Sequence, residues 1–362
     1  LNEERYRERQ RRALAALSGT GAEALMVTRP ENRTYLTGFR GDAGTVFLSS
    51  DGVWLLTDFR FLEAAKDQGV AAELVHQEGS WLDSVTRLVT ARGWSVLAFE
   101  ADHLTCQRYQ ELSEALSPVA LVASSGLVEG LRRIKDEEEI AWLREAARIT
   151  DAAFVHILDR IRPGVTEKEL ALELEYFMGR SGAEGPGFPT IVAAGPRSAY
   201  PHAVPQREAV REGDLIILDL GAVYEGYHAD LTRTVAVGCA DGKQREVYDI
   251  VLCAQQKALA AIRPGRSAAE IDAVAREEIT RKGYGEYFVH RLGHSVGLAV
   301  HEEPSLGSGQ DAVLAPGMVL TVEPGIYLPG WGGVRIEDLV LVTEKGAEVI
   351  SQAPRDFLIV GR

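Results

Sequence analysis

DLIILDLGAVYEGYHAD runs from Asp214 to Asp230, and its reading decides the rest of the chain. Leu215 to Leu220 form an apolar run broken by one carboxylate, Asp219. A turn-like segment with Gly221 and Gly226 follows, and a second carboxylate closes the stretch at Asp230. A lone Asp in a strand that reads as fully buried is costly unless a cation meets it. The first expectation is that Asp219 and Asp230 hold metal, with further ligands along the chain.

Helical punctuation flanks this stretch on both sides. Asp136 followed by Glu139 is a capping-box arrangement. Ile140, Leu143, Ala147, Phe154, Ile157, Leu158 and Ile161 then recur at helical spacing up to Pro163-Gly164. The segment IRPGVTEKEL at Ile161–Leu170 has a partner, IRPGRSAAEI, at Ile262–Ile271. Each ends one helix with Pro-Gly and opens another with Thr or Ser and a Glu three places on, which points to a duplicated α–α–β half. Strands are expected at Thr190–Ala194 and Leu215–Leu220 in the first half, and at Met318–Val322 and Val334–Val342 in the second. A duplicated fold would place a site where the halves meet.

Ionisable residues recur at strand-like positions after Asp219 and Asp230. His290, His294 and His301 lie in HRLGHSVGLAVHEEP, Glu323 in TVEPGIY, and Glu337 in GGVRIEDLVLV. In an uninterrupted strand Arg335 and Glu337 share one face, which we take as the site. Four carboxylates and one neutral imidazole balance the charge of two divalent cations. Oxygen-rich ligation without thiolate favours Mn, Co, Fe or Zn in a reactive rather than structural centre. Two ions about 3.5–4 Å apart can hold a hydroxide nucleophile between them. Taken singly, each residue has an ordinary reading as a strand-end, turn or edge residue. Five such residues in this order do not.

Composition bounds the alternatives. The 362 residues are 46% hydrophobic and 25% charged, values of an ordinary globular chain long enough for two domains. A formal net charge of −14 argues against nucleic acid or an anionic membrane as partner. Cys106, Cys239 and Cys253 are widely spaced, with neither a CxxC motif nor a disulfide framework. The stretch LNEERYRERQRR is charged and lacks the apolar core of a signal peptide, and no apolar run approaches membrane-spanning length. The expectation is a cytoplasmic protein.

Residues 1–128 alternate helix and strand signals and read as an α/β domain. Helices are expected over residues 3–17, Phe59–Asp67, Trp81–Arg92 and Gln107–Leu116, and strands over Ala24–Thr28, Ala71–Val75 and Val96–Phe99. A hairpin is expected where Val46–Leu48 and Val53–Thr57 flank Ser49-Ser50-Asp51-Gly52. His76 and His103 stand apart from other ligand types and read as surface or structural. This domain is expected to cover, shape or dimerise rather than catalyse. Residues 129–135 are expected to link it to a second domain over 136–362.

The motifs DLGAVYEGYHADLTRT, HRLGHSVGLAVHEEP, TVEPGIY and GGVRIEDLV together resemble the pita-bread metallopeptidases, in their proline-peptidase branch of aminopeptidase P and prolidase. The resemblance covers residues 136–362 and extends more weakly over the first domain. It implies an α+β fold with pseudo-duplicated α-α-β halves behind a smaller α/β domain. It also implies Asp219, Asp230, His294, Glu323 and Glu337 as ligands of two divalent ions, usually manganese or cobalt, with Asp230 and Glu337 bridging. His202, in SAYPHAVP, matches a His near the scissile bond, His301 one that contacts the substrate carbonyl, and His290 one that lines the proline pocket. Arg335 is expected either to steady the site carboxylates or to bind a substrate carboxylate, and Thr232 to support Asp230. Glu323 would be both ligand and proton shuttle. The implied activity is hydrolysis of the bond between an N-terminal residue and proline, by a homodimer. Aminopeptidase P is preferred over prolidase by a narrow margin. A non-catalytic binding protein on the same fold is disfavoured by the full ligand set.

Overall fold

The computed structural model describes residues 3–361 and divides into two compact units, residues 1–132 and 133–362. The first unit contains α1 (Glu3–Leu17), β1 (Ala24–Val27), α2 (Pro30–Thr37), β2 (Thr45–Ser49), β3 (Gly52–Thr57) and α3 (Phe59–Asp67). It continues through β4 (Glu73–His76), α4 (Trp81–Arg92), β5 (Val96–Glu100), α5 (Cys106–Ala115), β6 (Ala120–Ser124) and α6 (Leu127–Arg132). Its six strands form one sheet in the order β4-β3-β2-β1-β5-β6. The expected hairpin is β2–β3, paired antiparallel from Thr45↔Leu56 to Ser49↔Gly52. Met26, Phe47, Trp54, Leu97 and Val89 belong to its core.

Three elements of this unit, α2, β6 and α6, lie outside the expected set. Helix α2 buries Asn32 and Arg33 along with Tyr35 and Leu36, so its inward face carries no simple apolar stripe. Its start is held from a distance: the Glu100 carboxylate accepts the Thr28 and Arg29 backbone N–H groups at 2.6 and 2.8 Å and the Asn32 amide at 2.6 Å. Within the expected linker 129–135, residues 129–132 belong to α6.

The second unit opens with α7 (Glu137–Leu158) and α8 (Glu167–Arg180). Strands β7 (Gly185–Pro186), β8 (Ile191–Ala194), β9 (Leu215–Leu220), β10 (Ala222–Tyr224), β11 (Tyr227–His228) and β12 (Leu231–Val237) follow. Then come α9 (Gly242–Ala261), α10 (Ala268–Arg281), β13 (Gly293–Ser295), β14 (Glu302–Leu306) and β15 (Val319–Val322). The chain closes with β16 (Gly325–Leu328), β17 (Gly332–Arg335), β18 (Asp338–Thr343), β19 (Gly346–Val349) and β20 (Ile359–Val360). One sheet runs β20-β12-β9-β8 and another β14-β13-β15-β18-β19. Apolar faces of α7 and α8 pack with β9 and β12, whereas α9 and α10 pack mainly with β15 and β18.

The duplication is visible in backbone detail. Thr166 and Ser267 each close a capping box, with Glu169 and Glu270. Thr166 then bridges Ala209 as Ser267 bridges Val313, and the Gly164 N–H reaches the Val210 carbonyl as the Gly265 N–H reaches that of Leu314. Each helix pair is thereby laced to a returning segment in the same way.

One expectation fails in an informative manner. Val334–Val342 is not one strand: β17 ends at Arg335, β18 begins at Asp338, and the two lie in different sheets. The break at Ile336-Glu337 crosses beside β12, where the Glu337 N–H donates to the Thr232 carbonyl at 3.0 Å. The shared face of Arg335 and Glu337 therefore arises from a common partner on β12, not from strand alternation.

Candidate metal centre

Asp219 sits near the end of β9, a strand buried along its length, opposite Thr232 on β12 and Ile191 on β8. Asp230 immediately precedes β12. Between them, β10 and β11 form a two-residue hairpin whose central residues, Glu225 and Gly226, have φ of 51° and 77°. Positive φ at both positions is the turn that matches strand twist, which explains the Glu-Gly pair. Gly221 is required by close approach, because a Cβ there would collide with the Ala229 carbonyl. Those two carboxylates come from the four-stranded sheet.

Three further groups come from the other sheet or its edges. His294 lies in β13, Glu323 directly follows β15 and Glu337 directly precedes β18. The structure brings all five expected groups together. Asp230, His294 and Glu337 each offer an atom within 4.8 Å of the others. His294 Nε2 lies 3.7 Å from Asp230 Oδ2 and 3.5 Å from Glu323 Oε1. Asp219 joins them through Arg335, whose Nη2 donates to Asp219 Oδ2 at 2.6 Å. Thr321 aligns two members at once: its hydroxyl accepts the His294 N–H at 3.0 Å and donates to Glu323 Oε1 at 3.2 Å.

The electrostatics of the bare protein are unfavourable in a specific way. Burial is the main cause raising all four carboxyls, and repulsion from neighbouring carboxylates adds to it at Asp230, Glu323 and Glu337. Asp230 and Glu337 are raised well above the carboxylate range, and Glu323 is pushed up to about 8. Burial also lowers His294 to about 4. Its Nδ1 lies 3.1 Å from the Ser295 carbonyl, which only accepts, so Nδ1 carries the proton and Nε2 is a bare lone pair. That lone pair faces the carboxyl groups of Asp230 and Glu323. Asp219 Oδ1 is buried with no hydrogen-bond partner. An orphaned buried oxygen, a bare imidazole nitrogen and crowded carboxylates are what divalent cations would satisfy, so the residues present fit such ions.

Arg335 is buried, and each of its three nitrogens donates to protein. Nε donates to Thr232 Oγ1 at 3.0 Å, Nη1 to Tyr327 Oη at 2.9 Å and to the Pro201 carbonyl at 3.4 Å, and Nη2 to Asp219. Four of its five N–H groups are engaged within the protein, in keeping with the option that Arg335 steadies the site carboxyls. Thr232 departs from its expected partner. Its hydroxyl donates to Glu337 Oε2 at 2.6 Å, and so supports Glu337 rather than Asp230. Arg233, the next residue, donates to the Glu337 carbonyl and pairs with buried Asp338 at 2.7 Å, gripping Glu337 from behind.

Three histidines stand around the cluster. His290 Nδ1 lies 2.7 Å from the Arg291 carbonyl, so it is the protonated nitrogen, and Nε2 accepts from Tyr327 Oη at 2.8 Å. Burial and nearby Arg335 lower it to about 4, so the ring is neutral. His301 is exposed, and its ring meets that of His294 edge-on, centroids 4.4 Å apart. His202 is exposed in the turn after Ala199, within electrostatic reach of Asp219, His290 and His301. His76 and His103 are exposed in the first unit, as expected.

Tyr327 was not anticipated. It lies four residues beyond Glu323 in the EPGIY segment, and the signal available was an aromatic hydroxyl in an otherwise apolar run, which must find polar partners when buried.

A buried four-carboxylate, one-imidazole cluster between two sheets of a duplicated α+β unit defines a metal-dependent hydrolytic centre as a class. Comparison with known proteins narrows this. The model of metallopeptidase family M24 matches residues 141–344, and that of the creatinase/prolidase N-terminal domain matches residues 9–134. An Xaa-Pro dipeptidase from Bacillus anthracis superposes with a TM-score of 0.95 at 46% identity, covering 98% of this chain and 100% of that one. An Xaa-Pro dipeptidase of Pyrococcus horikoshii is 36% identical over 97% of this chain and 99% of its own. An X-Pro aminopeptidase from Thermotoga maritima superposes with a TM-score of 0.88 at 38% identity, covering 96% and 100%. The chain belongs to metallopeptidase family M24, in its proline-peptidase branch, and has the pita-bread architecture with a creatinase/prolidase-type N-terminal unit.

Proposed function

We propose that the chain is an Xaa-Pro dipeptidase that hydrolyses the bond before a C-terminal proline, with two divalent ions held by Asp219, Asp230, His294, Glu323 and Glu337. The observation that carries the hydrolytic reading is the convergence of four buried carboxyl groups on the unprotonated His294 Nε2, with Asp219 Oδ1 left without a hydrogen-bond partner. The preference for a dipeptide is supported by full-length likeness to Xaa-Pro dipeptidases. It replaces the narrow lean to aminopeptidase P, which likeness to the Thermotoga maritima aminopeptidase keeps as the second reading. Manganese is the proposed metal and a homodimer the proposed assembly. Among the described residues no helix is long and apolar enough to cross a membrane.

The ions would lower the pKa of water at the site and polarise the substrate carbonyl. The remaining work belongs to side chains. Glu323, at the end of β15 and held by Thr321, accepts the proton of the attacking water and passes it on. The leaving group is proline's ring nitrogen, which carries no hydrogen in the peptide bond and must gain one. His202 and His301, both exposed, stand as donors to the leaving nitrogen and to the developing oxyanion. His290 has a different task. With Nδ1 and Nε2 both engaged by protein, it offers substrate only ring carbon, as suits the wall of a proline pocket.

The test compares Gly-Pro with Gly-Pro-Gly after chelation and again after Mn²⁺ is restored. The expected result is no turnover when chelated, recovery with Mn²⁺ and faster cleavage of the dipeptide. Faster cleavage of the tripeptide would favour the aminopeptidase reading. A chelated protein with full activity, or a restored one with none, would sink the peptidase reading altogether.

A further inference from the structure

Lys135 is the most deeply buried lysine-type charge that the proposed chemistry leaves unused. Its side chain is 1% exposed, and that of its partner Glu302 is 6% exposed. Burying an ammonium is unfavourable unless it is paired and hydrogen-bonded. Nζ has two partners, Ser295 Oγ at 3.1 Å and Glu302 Oε2 at 3.2 Å. Ser295 adjoins His294, and Glu302 adjoins His301. One ammonium thus ties together the two ends of the loop whose flanks carry both histidines.

The sheet joins these ends only through an irregular ladder. His294 pairs with Ser305 but Ser295 pairs with Glu302, a register shift at the very residues where the loop departs. Pro304, within the skipped segment, has no N–H to give the ladder. Lys135 adds a side-chain tie across the strands at this irregularity, and its own position is firm. Its N–H donates to the Gly317 carbonyl at 2.9 Å, and the capping box of α7 begins at the next residue. The loop is shaped around the carboxylate: the Ala299 N–H donates to Glu302 Oε1 at 3.1 Å, and a Cβ on Gly297 would meet both Glu302 oxygens at 2.7 Å.

We propose that Lys135 is a positioning residue for His301: through Glu302 and Ser295 it holds the β13–β14 loop so that the His301 ring stays against His294. This rests on the role given to His301 above. Displacing a group that acts on the transition state by about 1 Å can cost about 100-fold in rate. For the Mn²⁺-loaded protein acting on Gly-Pro, Lys135→Met is expected to lower kcat by about 10- to 100-fold and to change KM by less than about threefold. In a His301→Ala background the same substitution is expected to cost less than about threefold, because the residue it positions is gone. An equal loss in both backgrounds, or an unchanged kcat in the wild-type background, overturns the proposal. Glu302→Gln is carried through the same cycle, and it reads the same coupling should Lys135→Met not fold. A substrate-free measurement separates this from the peptidase reading. In chelated protein the ¹H–¹³C signal of the His301 ring should move on Lys135→Met while that of His76 does not, and an unmoved His301 signal refutes the proposal whatever the activity proves to be.

Discussion

The metal-free protein should lose stability as pH rises, and metal should reverse the trend. Glu323 shows why. Its carboxyl is raised from an ordinary 4.5 to about 8, chiefly by burial. A group whose folded pKa lies above its unfolded one binds protons more tightly when folded, so its stabilising contribution is complete below the unfolded pKa and is lost as pH climbs through the folded pKa. For a shift of that size the loss between about pH 5 and about pH 8 is on the order of 3–4 kcal/mol. In a unit of this size that is a fall of roughly 10 °C in Tm. Asp230 and Glu337 are raised further and act in the same direction. Ligation requires the ionised form, so metal binding near pH 7 should release protons from these carboxyls, and apparent affinity should rise with pH. The assay is thermal unfolding of chelated and Mn²⁺-loaded protein across this range, with calorimetric titration of Mn²⁺ in two buffers of different ionisation heat. Chelated protein whose stability is flat or rises with pH, or Mn²⁺ uptake without proton release, would refute the reasoning.

Other perturbations probe the scaffold of the same centre. Arg335→Met removes the one cation among four buried carboxyls and leaves Thr232, Tyr327 and Asp219 without their donor; a loss of about 3–5 kcal/mol is expected in denaturant unfolding of chelated protein, with turnover abolished in the loaded form. Tyr327→Phe deletes an acceptor for Arg335 and a donor to His290, for about 1–3 kcal/mol, and by freeing His290 Nε2 should raise KM for Xaa-Pro substrates more than it lowers kcat. Gly221→Ala sets a methyl against the Ala229 carbonyl between Asp219 and Asp230, and elemental analysis should find fewer than two Mn²⁺ bound per chain.

The proposed ligands stood out in the sequence because they are chemically incongruous where they stand. Asp219 interrupts an apolar strand, and Glu337 sits between Ile336 and a run ending at Val342. Such signals survive without knowledge of the partner. The helix pairs were legible for a related reason: Thr166–Glu169 and Ser267–Glu270 satisfy their own helix ends locally. What escaped depends on distant partners. Helix α2 hides because Asn32 and Arg33 face inward and are satisfied by Glu100 and by the Gly41 and Gly44 carbonyls, residues the local pattern does not reveal. Period-2 alternation suggested a continuous strand through Val334–Val342, yet the backbone of Glu337 turns aside to bond Thr232, 105 positions earlier. Lys135 reads as one more charge before an acidic helix start, and nothing nearby announces that it is buried.

The division of the ligands between sheets has a consequence for how the molecule comes apart. Asp219 and Asp230 belong to the β9–β12 pair, and His294, Glu323 and Glu337 to the ends of β13, β15 and β18. Neither half holds the full set alone, so metal would act as a rivet through two plates rather than as an ornament on one. A partly folded chain with only one half formed would have a weaker grip on the ions, and the full grip would come only once both halves have docked. The rivet would therefore do little to hasten folding and much to slow unfolding. The loaded enzyme would owe its endurance to a barrier on the way out, and the lifetime of its fold would follow the lifetime of its metal.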